Sequence, residues 1–306
     1  MNPTILQDSD IMARVRARVA VDWMREAVTL AEQGHLRAPK REWVDFPGEG
    51  RIVFTAGALS GDWYGYRSYD TFNTGTAEQV VVIHDAHTGE VRAIAIGVLL
   101  GQLRTGALGG VAIDAFAPLL ATTLGVIGSG NQAWSQLWAI SGVRNLSRVD
   151  VYSPNVSHAE AFAARARFEL GVDCHVASSA EFATRGHEMV VLATSSATPV
   201  IKAEWIDPGA HVNTLGAKQQ GAAEFGLDLL ERADVVVTDS LSQLTGYDPP
   251  TLVEASAYSK EVNSLGRVLI DGAFAARSHS AITLYLSVGL AGTEAYLLNR
   301  LCQSES

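Results

Sequence analysis

A glycine-rich turn between an apolar run and a helical pattern is the first candidate site in the sequence. The stretch LGVIGSGNQA contains Gly128 and Gly130, with Ala133 three residues further on. Glycines allow a tight turn and a close approach of the backbone to a phosphate, and a small residue lets the helix pack closely on the strand. The helix N-terminus adds unpaired N–H groups and a positive dipole end. The pattern predicts a pyrophosphate site for a dinucleotide; a purely structural strand–helix turn is the alternative. The predicted residues are Gly128, Ser129, Gly130, Asn131, Gln132 and Ala133.

The strand that follows ends in a residue that bears on the choice of dinucleotide. In VDVYSPN, Ser153 stands at the expected strand end, where an acidic residue would bind the ribose 2′-hydroxyl of NAD. Ser153 and Asn155 can donate hydrogen bonds to a 2′-phosphate, and no carboxylate repels it, since Asp150 lies in mid-strand. The sequence therefore favours NADP, with NAD as the alternative cofactor. A loop that only turns the chain, shaped by Pro154, is the structural alternative.

An arginine in apolar surroundings is the second candidate. Arg104 lies in VLLGQLRTGALGG, where a guanidinium is costly unless it is paired. Asp114 is ten residues away, which on a helix is about 15 Å along the axis and roughly 80° round it, too far to pair with Arg104. The carboxylate of an α-amino or α-imino acid would satisfy Arg104 by a bidentate ion pair. A structural salt bridge to another segment is the alternative.

Hydrophobic periodicity predicts an α/β fold with two kinds of region. Residues 10–33 have apolar residues at helical spacing, and 51–101 consist of short apolar runs separated by turns, which predicts an antiparallel meander. A helix of small residues is expected over 103–117. From 122 to about 272, β-branched runs alternate with helical segments, as is typical of buried parallel strands. The apolar stretch 281–301 predicts a long buried helix.

Composition narrows the classes of partner. The 306-residue chain has a net charge of −10, which argues against a nucleic-acid partner. Cys174 and Cys302 are far apart and are expected to be reduced thiols, and the first residues lack the apolar core of a signal peptide, so we expect a cytoplasmic protein. Glu294 and Asn299 interrupt the most apolar late stretch, so no membrane span is expected. The eight histidines lack paired ligand spacing, and no metal site is predicted.

Several of these segments together resemble the ornithine cyclodeaminase/μ-crystallin family. They are TGEVRAIAIGVLLGQLRTGA, LGVIGSGNQA, VNTLGA with LLERADVVVTDS, and ITLYLSVG, in order over about residues 50–300. The resemblance implies a Rossmann-type NAD(P)-binding domain, residues 121–274, inserted in a discontinuous α+β domain. That second domain, residues 1–120 plus 275–306, would bind substrate and form a homodimer through an antiparallel sheet.

The resemblance also assigns roles to single residues. Arg104 would bind the substrate carboxylate, and Lys40 or Arg41 in APKRE would supply a second cation; we favour Arg41. The cofactor contacts that it implies are Thr105, the turn Gly128 to Ala133, Thr194, Leu215, Gly216 and Ser287.

Two positions depart from the family pattern. Arg67 in YGYRSY replaces a pocket lysine, and because a guanidinium does not readily lose a proton, Arg67 would act as a second anion clamp. A solvated strand residue is the alternative. Lys218 in NTLGAKQQG replaces the aspartate that holds the distal amine in ornithine cyclodeaminases. Lys218 repels an ammonium group, favours an anionic or neutral distal group, and could donate a proton; alternatively it faces solvent or the cofactor phosphates.

Three functions follow from these residues. The leading hypothesis is an NAD(P)H-dependent oxidoreductase that acts on an α-imino or α-amino acid, as an imine or ketimine reductase or an amino-acid dehydrogenase. A cyclodeaminase of the ornithine type is the second hypothesis, and Lys218 counts against it. The third is a catalytically silent protein that binds NADPH and a ligand, as μ-crystallin does.

Overall fold

In the computed structural model the described residues are 2–72, 78–258, 261–272 and 278–303. The N-terminal third forms a mixed, seven-stranded sheet with three helices. Its elements are β1 (Thr4–Gln7), α1 (Asp8–Arg14), α2 (Ala17–Glu32), β2 (Leu36–Arg37), β3 (Glu42–Phe46), β4 (Gly50–Leu59), β5 (Trp63–Asp70), β6 (Gln79–Asp85), β7 (Val91–Gly97) and α3 (Leu99–Phe116). The strand order is β1-β7-β6-β5-β4-β2, with β3 also paired to β4.

The antiparallel meander predicted for 51–101 is confirmed in β4 to β7. The turn between β6 and β7 forms because the Asp85 carboxylate accepts hydrogen bonds from the backbone N–H groups of His87 and Thr88, at 2.8 and 2.9 Å. Gly89 then takes a positive φ of 76°, which glycine adopts at little cost. The β1 strand was not predicted; it pairs in parallel with β7.

The helix predicted for 10–33 is two helices, with extended backbone at Val15 and Arg16 between them. α1 begins at Asp8 because the N–H of Gln7, its N-cap residue, donates to the Asp10 carboxylate at 2.9 Å. The Asp8 carboxylate accepts hydrogen bonds from the N–H groups of Val98 and Leu99. It thereby satisfies the N-terminus of α3 rather than its own helix. The small-residue helix predicted for 103–117 is confirmed as α3, which begins at Leu99.

The remainder of the chain forms an eight-stranded sheet, a small hairpin and seven helices among the described residues. The elements are β8 (Thr123–Ile127), α4 (Asn131–Ser141), β9 (Arg148–Tyr152), α5 (Val156–Arg165) with a following π-helical turn (Ala166–Leu170), β10 (Cys174–Val176), β11 (Met189–Leu192), a 3₁₀ turn (Ala203–Trp205), β12 (His211–Thr214), the hairpin β13 (Lys218–Gln219) and β14 (Ala222–Ala223), α6 (Leu227–Arg232), β15 (Val235–Thr238), α7 (Leu241–Leu244), α8 (Leu252–Ala255), β16 (Val262–Ser264), α9 (Leu265–Asp271), β17 (Thr283–Leu286) and α10 (Thr293–Gln303).

All eight strands of this sheet are parallel, in the order β10-β9-β8-β11-β12-β17-β15-β16. Both faces are covered: on β11, Val190 and Leu192 join one apolar cluster, and Met189 and Val191 join the other. A parallel sheet with helices on both faces is the doubly wound arrangement. The α/β fold with a Rossmann-type unit and a separate antiparallel sheet is therefore confirmed.

The helix predicted for 281–301 is wrong in its first half. Thr283–Leu286 form β17, which lies between β12 and β15, and the helix α10 begins only at Thr293. The run AITLYL is short and apolar throughout, so periodicity alone does not separate a buried strand from a buried helix. The predicted boundary between residues 274 and 275 lies outside the described residues, and the division into two domains stays a prediction. No helix in the described part of the chain is long and apolar enough to span a bilayer.

Candidate functional site

The predicted pyrophosphate turn lies at the carboxyl end of β8 and opens a large cavity. Gly128 has a φ of 111°, and a Cβ there would stand 2.3 Å from the carbonyl oxygen of Ala193. Gly130 precedes α4, and a Cβ at Gly130 would meet nothing within 4 Å. The turn thus needs glycine at 128 for backbone packing, while Gly130 leaves open space in front of the helix N-terminus.

The cavity has a volume of about 800 Å³ and lies along the carboxyl ends of β8, β9, β11 and β12. This edge, beside the point where strand order reverses, is where doubly wound sheets bind ligands. Of the predicted cofactor residues, the following line it: Gly128, Ser129, Gly130, Asn131, Gln132, Ser153, Thr194, Leu215 and Gly216. Ala133 does not line it; it is fully buried between α4 and the sheet.

At the end of β9, Ser153 lines the cavity and accepts a hydrogen bond from the backbone N–H of Asn155. Asn155 caps α5, because its side-chain oxygen accepts from the N–H of His158 at 3.3 Å. Asp150 points away from the cavity, as expected: it is buried, and its carboxylate lies 2.6 Å from Arg148 and 2.9 Å from His187. No acidic side chain of the described residues lines the cavity.

A second, smaller cavity of about 210 Å³ adjoins the first, since Gln132, Leu215 and Gly216 line both. We name this smaller cavity the cationic pocket. Five further predicted residues line it: Arg41, Arg104, Thr105, Lys218 and Ser287. Residues separated by up to 246 positions in sequence are therefore brought together beside the large cavity.

Arg104 and Arg67 converge on one buried carboxylate, that of Glu294. Its Oε1 accepts from Arg104 Nε at 2.8 Å and from Arg67 Nη1 at 2.5 Å. Burial alone raises the pKa of the Glu294 carboxyl, but the charges of Arg104 and Arg67 lower it more, so that the pKa lies below its usual value. The alternative role predicted for Arg104 is a structural salt bridge. That salt bridge is present, and it uses Nε of the Arg104 guanidinium.

Arg104 lines the cationic pocket, and its other guanidinium nitrogens lie beside Gly289. A Cβ on Gly289, which lines this pocket, would stand 3.1 Å from Nη1 and 3.3 Å from Nη2 of Arg104. Arg67 does not line the pocket: its Nε donates to Gln79 and its guanidinium stacks on the Tyr69 ring. It is 8% exposed, so the solvated-strand alternative for Arg67 is wrong.

The two residues predicted as alternatives for the N-terminal cation lie in different environments. Lys40 is exposed, and Arg41 lines the pocket. The backbone N–H of Arg41 donates to the side-chain oxygen of Gln243 at 3.0 Å, and its guanidinium donates to the carbonyl of Val288. These contacts fix Arg41 from α7 and from the segment that follows β17.

Lys218 stands on the hairpin after β12 and is 4% exposed. Its ammonium donates to the carbonyl of Gly216 at 2.7 Å and approaches that of Leu215 at 3.5 Å. Both bonds are to neutral acceptors. The alternative that Lys218 faces solvent is therefore wrong.

Three buried carboxylates that the sequence did not single out as site residues hold the surrounding backbone. Glu224 accepts from the N–H groups of Leu215 and Gly216 and from Thr194, at 2.5 to 3.0 Å. Asp239 accepts from the N–H groups of Val288 and Gly289, both at 2.9 Å, which fixes the loop after Ser287. Glu294 is the third. An acidic residue inside an apolar stretch, such as Glu294, is the signal that could have indicated a buried partner.

The hydroxyl groups of Thr105 and Thr194 both donate hydrogen bonds within the protein. The Thr105 hydroxyl donates to the carbonyl of Gly101, and that of Thr194 donates to Glu224. Ser287 is buried beside the pocket, and its N–H donates to the carbonyl of Thr214. Within the described ranges, no group of three or more His, Cys, Asp or Glu side chains is arranged to hold a metal ion.

Comparison with known proteins gives one family over nearly the whole chain. The model of the ornithine cyclodeaminase/mu-crystallin family matches residues 1–299. An alanine dehydrogenase of Archaeoglobus fulgidus is 27% identical over 302 residues, which cover 95% of this chain and 91% of that protein. A Delta(1)-pyrroline-2-carboxylate reductase of Bacillus cereus is 32% identical over 223 residues, covering 71% and 67%. Among solved structures, an archaeal alanine dehydrogenase dimer with bound NAD has a TM-score of 0.88 at 25% identity and covers 100% of this chain and 97% of that one.

Proposed function

The chain belongs to the ornithine cyclodeaminase/mu-crystallin family, and from this premise we propose that it is an NAD(P)H-dependent oxidoreductase of an α-imino or α-amino acid. The observation that carries the proposal is the contact between two cavities: the cationic pocket shares Gln132, Leu215 and Gly216 with the large cavity. A small carboxylic acid in the pocket is thereby next to a ligand in the large cavity. Related reductases and dehydrogenases act on the same class of compound.

The residues of the large cavity fit a dinucleotide. The positive φ of Gly128 and the open space at Gly130 leave the N-terminus of α4 accessible to a pyrophosphate. When bound, the reduced nicotinamide would supply hydride to the carbon of a C=N bond. Leu215, Gly216, Thr105 and Ser287 would form the protein surface around that end of the cofactor.

Arg104 is the proposed clamp for the substrate carboxylate, because it lines the cationic pocket with Nη1 and Nη2 beside Gly289 while Nε is held by Glu294. A planar guanidinium that is fixed at Nε holds its two Nη groups in position to donate a bidentate pair of hydrogen bonds to a carboxylate. Arg41 assists, because its Nη2 lies beside Gly289 as the Arg104 guanidinium does: a Cβ there would stand 3.1 Å from Arg41 Nη2. Arg67 acts through Glu294 rather than on the substrate itself. Lys218 interacts with the distal group or supplies a proton to the product amine.

We propose NADP as the preferred cofactor. The support is Ser153 at the end of β9, beside the cavity, and the absence of an acidic side chain among the described residues that line it. Asn155 contributes by fixing the loop as the cap of α5. A 2′-phosphate would therefore meet hydroxyl and amide groups and no opposing carboxylate.

We also propose a cytoplasmic homodimer. Phe54, Tyr64 and Tyr66 are 42 to 44% exposed on adjacent strands of the antiparallel sheet, and apolar side chains grouped on one exposed face are typical of protein interfaces. The similar archaeal alanine dehydrogenase is a dimer. Neither Cys174 nor Cys302 forms a disulfide, which agrees with a reducing compartment.

The test is oxidation of NADPH or NADH, followed at 340 nm, with cyclic imines and with 2-oxo acids plus ammonia. We expect stoichiometric oxidation, and we expect Arg104→Lys to lower kcat/KM roughly tenfold to a hundredfold, because a bidentate charged hydrogen bond is lost. Ammonia release from L-ornithine without net cofactor change would instead support a cyclodeaminase. Binding of NADPH without turnover of any imine would support a silent binding protein.

A further inference from the structure

We propose that the substrate is an α-imino or α-amino dicarboxylic acid, and that Lys218 binds its second carboxylate. The inference deepens the proposed function and rests on it. It starts from the position of Lys218, whose ammonium is buried beside the cationic pocket and bonded only to the carbonyls of Leu215 and Gly216 among the described residues.

A buried ammonium without a counter-charge is costly. The buried carboxylates around the pocket do not serve Lys218, because each is engaged elsewhere. Glu224 accepts four hydrogen bonds from the ends of β11 and β12. Asp239 holds two backbone N–H groups, and Glu294 holds two arginines. The missing negative charge can therefore come from the ligand.

The cationic pocket is lined by three cations, Arg41, Arg104 and Lys218, and by no carboxylate of the described residues. Glu224 and Asp239 are negative charges behind this lining, but their hydrogen bonds come from N–H and hydroxyl groups and not from Lys218. A substrate whose α-carboxylate is held by Arg104 therefore leaves Lys218 placed for a second anionic group.

The size of the pocket limits the length of that substrate. Its volume is about 210 Å³, which corresponds to roughly seven water molecules in the liquid. A short dicarboxylic acid fits this space better than a long or bicyclic one. Since the hairpin of Lys218 and the helix of Arg104 are different elements of the pocket, the two cations can hold two ends of one small molecule.

The experiment compares ligands that differ by one charge at nearly constant shape. L-aspartate and L-asparagine are titrated into the protein with NADPH bound, and binding is followed by calorimetry; L-glutamate and L-glutamine form a second pair. We expect the acid of at least one pair to bind tenfold or more tightly than its amide. In Lys218→Met we expect this preference to vanish through weaker binding of the acid, with amide binding unchanged. Lys202→Met, at an exposed lysine, is the matched control and should keep the preference.

Failure of the inference and failure of the proposed function give different results. If the protein reduces neutral imino acids but binds acids and amides equally, or if Lys218→Met keeps the preference, the dicarboxylate inference is wrong while the oxidoreductase stands. If no imine is reduced in the 340 nm assay and no amino acid binds, the proposed function is wrong and the inference falls with it.

Discussion

Glu294→Gln is the perturbation that tests the organisation of the site most directly. Its carboxylate is 1% exposed and accepts from both Arg104 and Arg67. The amide keeps the shape but removes the charge, which leaves two buried guanidinium groups without their shared counter-charge. Removal of one member of a buried pair typically costs about 3–5 kcal/mol. Against a total folding free energy of about 5–15 kcal/mol, this is a large fraction.

The assay is urea unfolding at pH 7, with thermal unfolding as a second probe. We expect the free energy of unfolding to fall by about 3–5 kcal/mol and the melting temperature by roughly 5–15 °C. Glu181→Gln is the matched control, since Glu181 forms an ion pair with Arg185 in which both side chains are 47% exposed. That variant should lose less than about 1 kcal/mol. Equal effects of the two substitutions would refute the argument.

The pH dependence of the free energy of unfolding tests the same role of Glu294 independently. The pKa of Glu294 is lowered in the folded state because the charges of Arg104 and Arg67 outweigh burial. Its stabilising contribution is therefore complete above the unfolded pKa of about 4.3 and is lost as the pH falls through the lower folded pKa. The stability difference between the wild type and Glu294→Gln should narrow below about pH 4. A constant difference down to pH 2 would show that charge is not its origin.

Two further substitutions test the cofactor site and the helix packing. Ser153→Asp places a carboxylate at the end of β9, and we expect the ratio of kcat/KM for NADPH to that for NADH to fall roughly tenfold to a hundredfold; an unchanged ratio would contradict the 2′-phosphate hypothesis. Gly106→Ala puts a Cβ 2.2 Å from the carbonyl oxygen of Ser135 on α4. We expect a loss of about 1–3 kcal/mol in urea unfolding, because two backbones must separate; a gain in stability, as helix propensity alone would give, would show that α3 and α4 are less closely packed.

The dinucleotide turn could be predicted from the sequence because its determinants are local. Gly128, Gly130 and the following helix are adjacent in the chain, and the meander was predictable for the same reason. The predicted residues Arg41, Arg104 and Lys218 line one pocket. Their roles in binding and catalysis stay predictions, which the substitutions above address.

Long-range pairing was the part that the sequence did not supply. Arg104 finds its partner 190 residues away in Glu294, and no spacing rule connects them. The contact between Glu224 and Gly216 could not be predicted either. Glu224 accepts a hydrogen bond from the N–H of Gly216, but an acidic residue eight positions further along the chain does not by itself indicate that contact. Periodicity also failed at β17, because a short apolar run fits a buried strand and a buried helix equally.

The central position of β17 has a consequence for how the protein is made. Because β17 lies between β12 and β15, the parallel sheet is split into two parts until the chain has been synthesised past Leu286. Until then β12 and β15 each present an unpaired edge, which is an opening for wrong pairing between chains. A chain that has been synthesised as far as β15 is therefore exposed to aggregation until β17 fills the gap in the sheet.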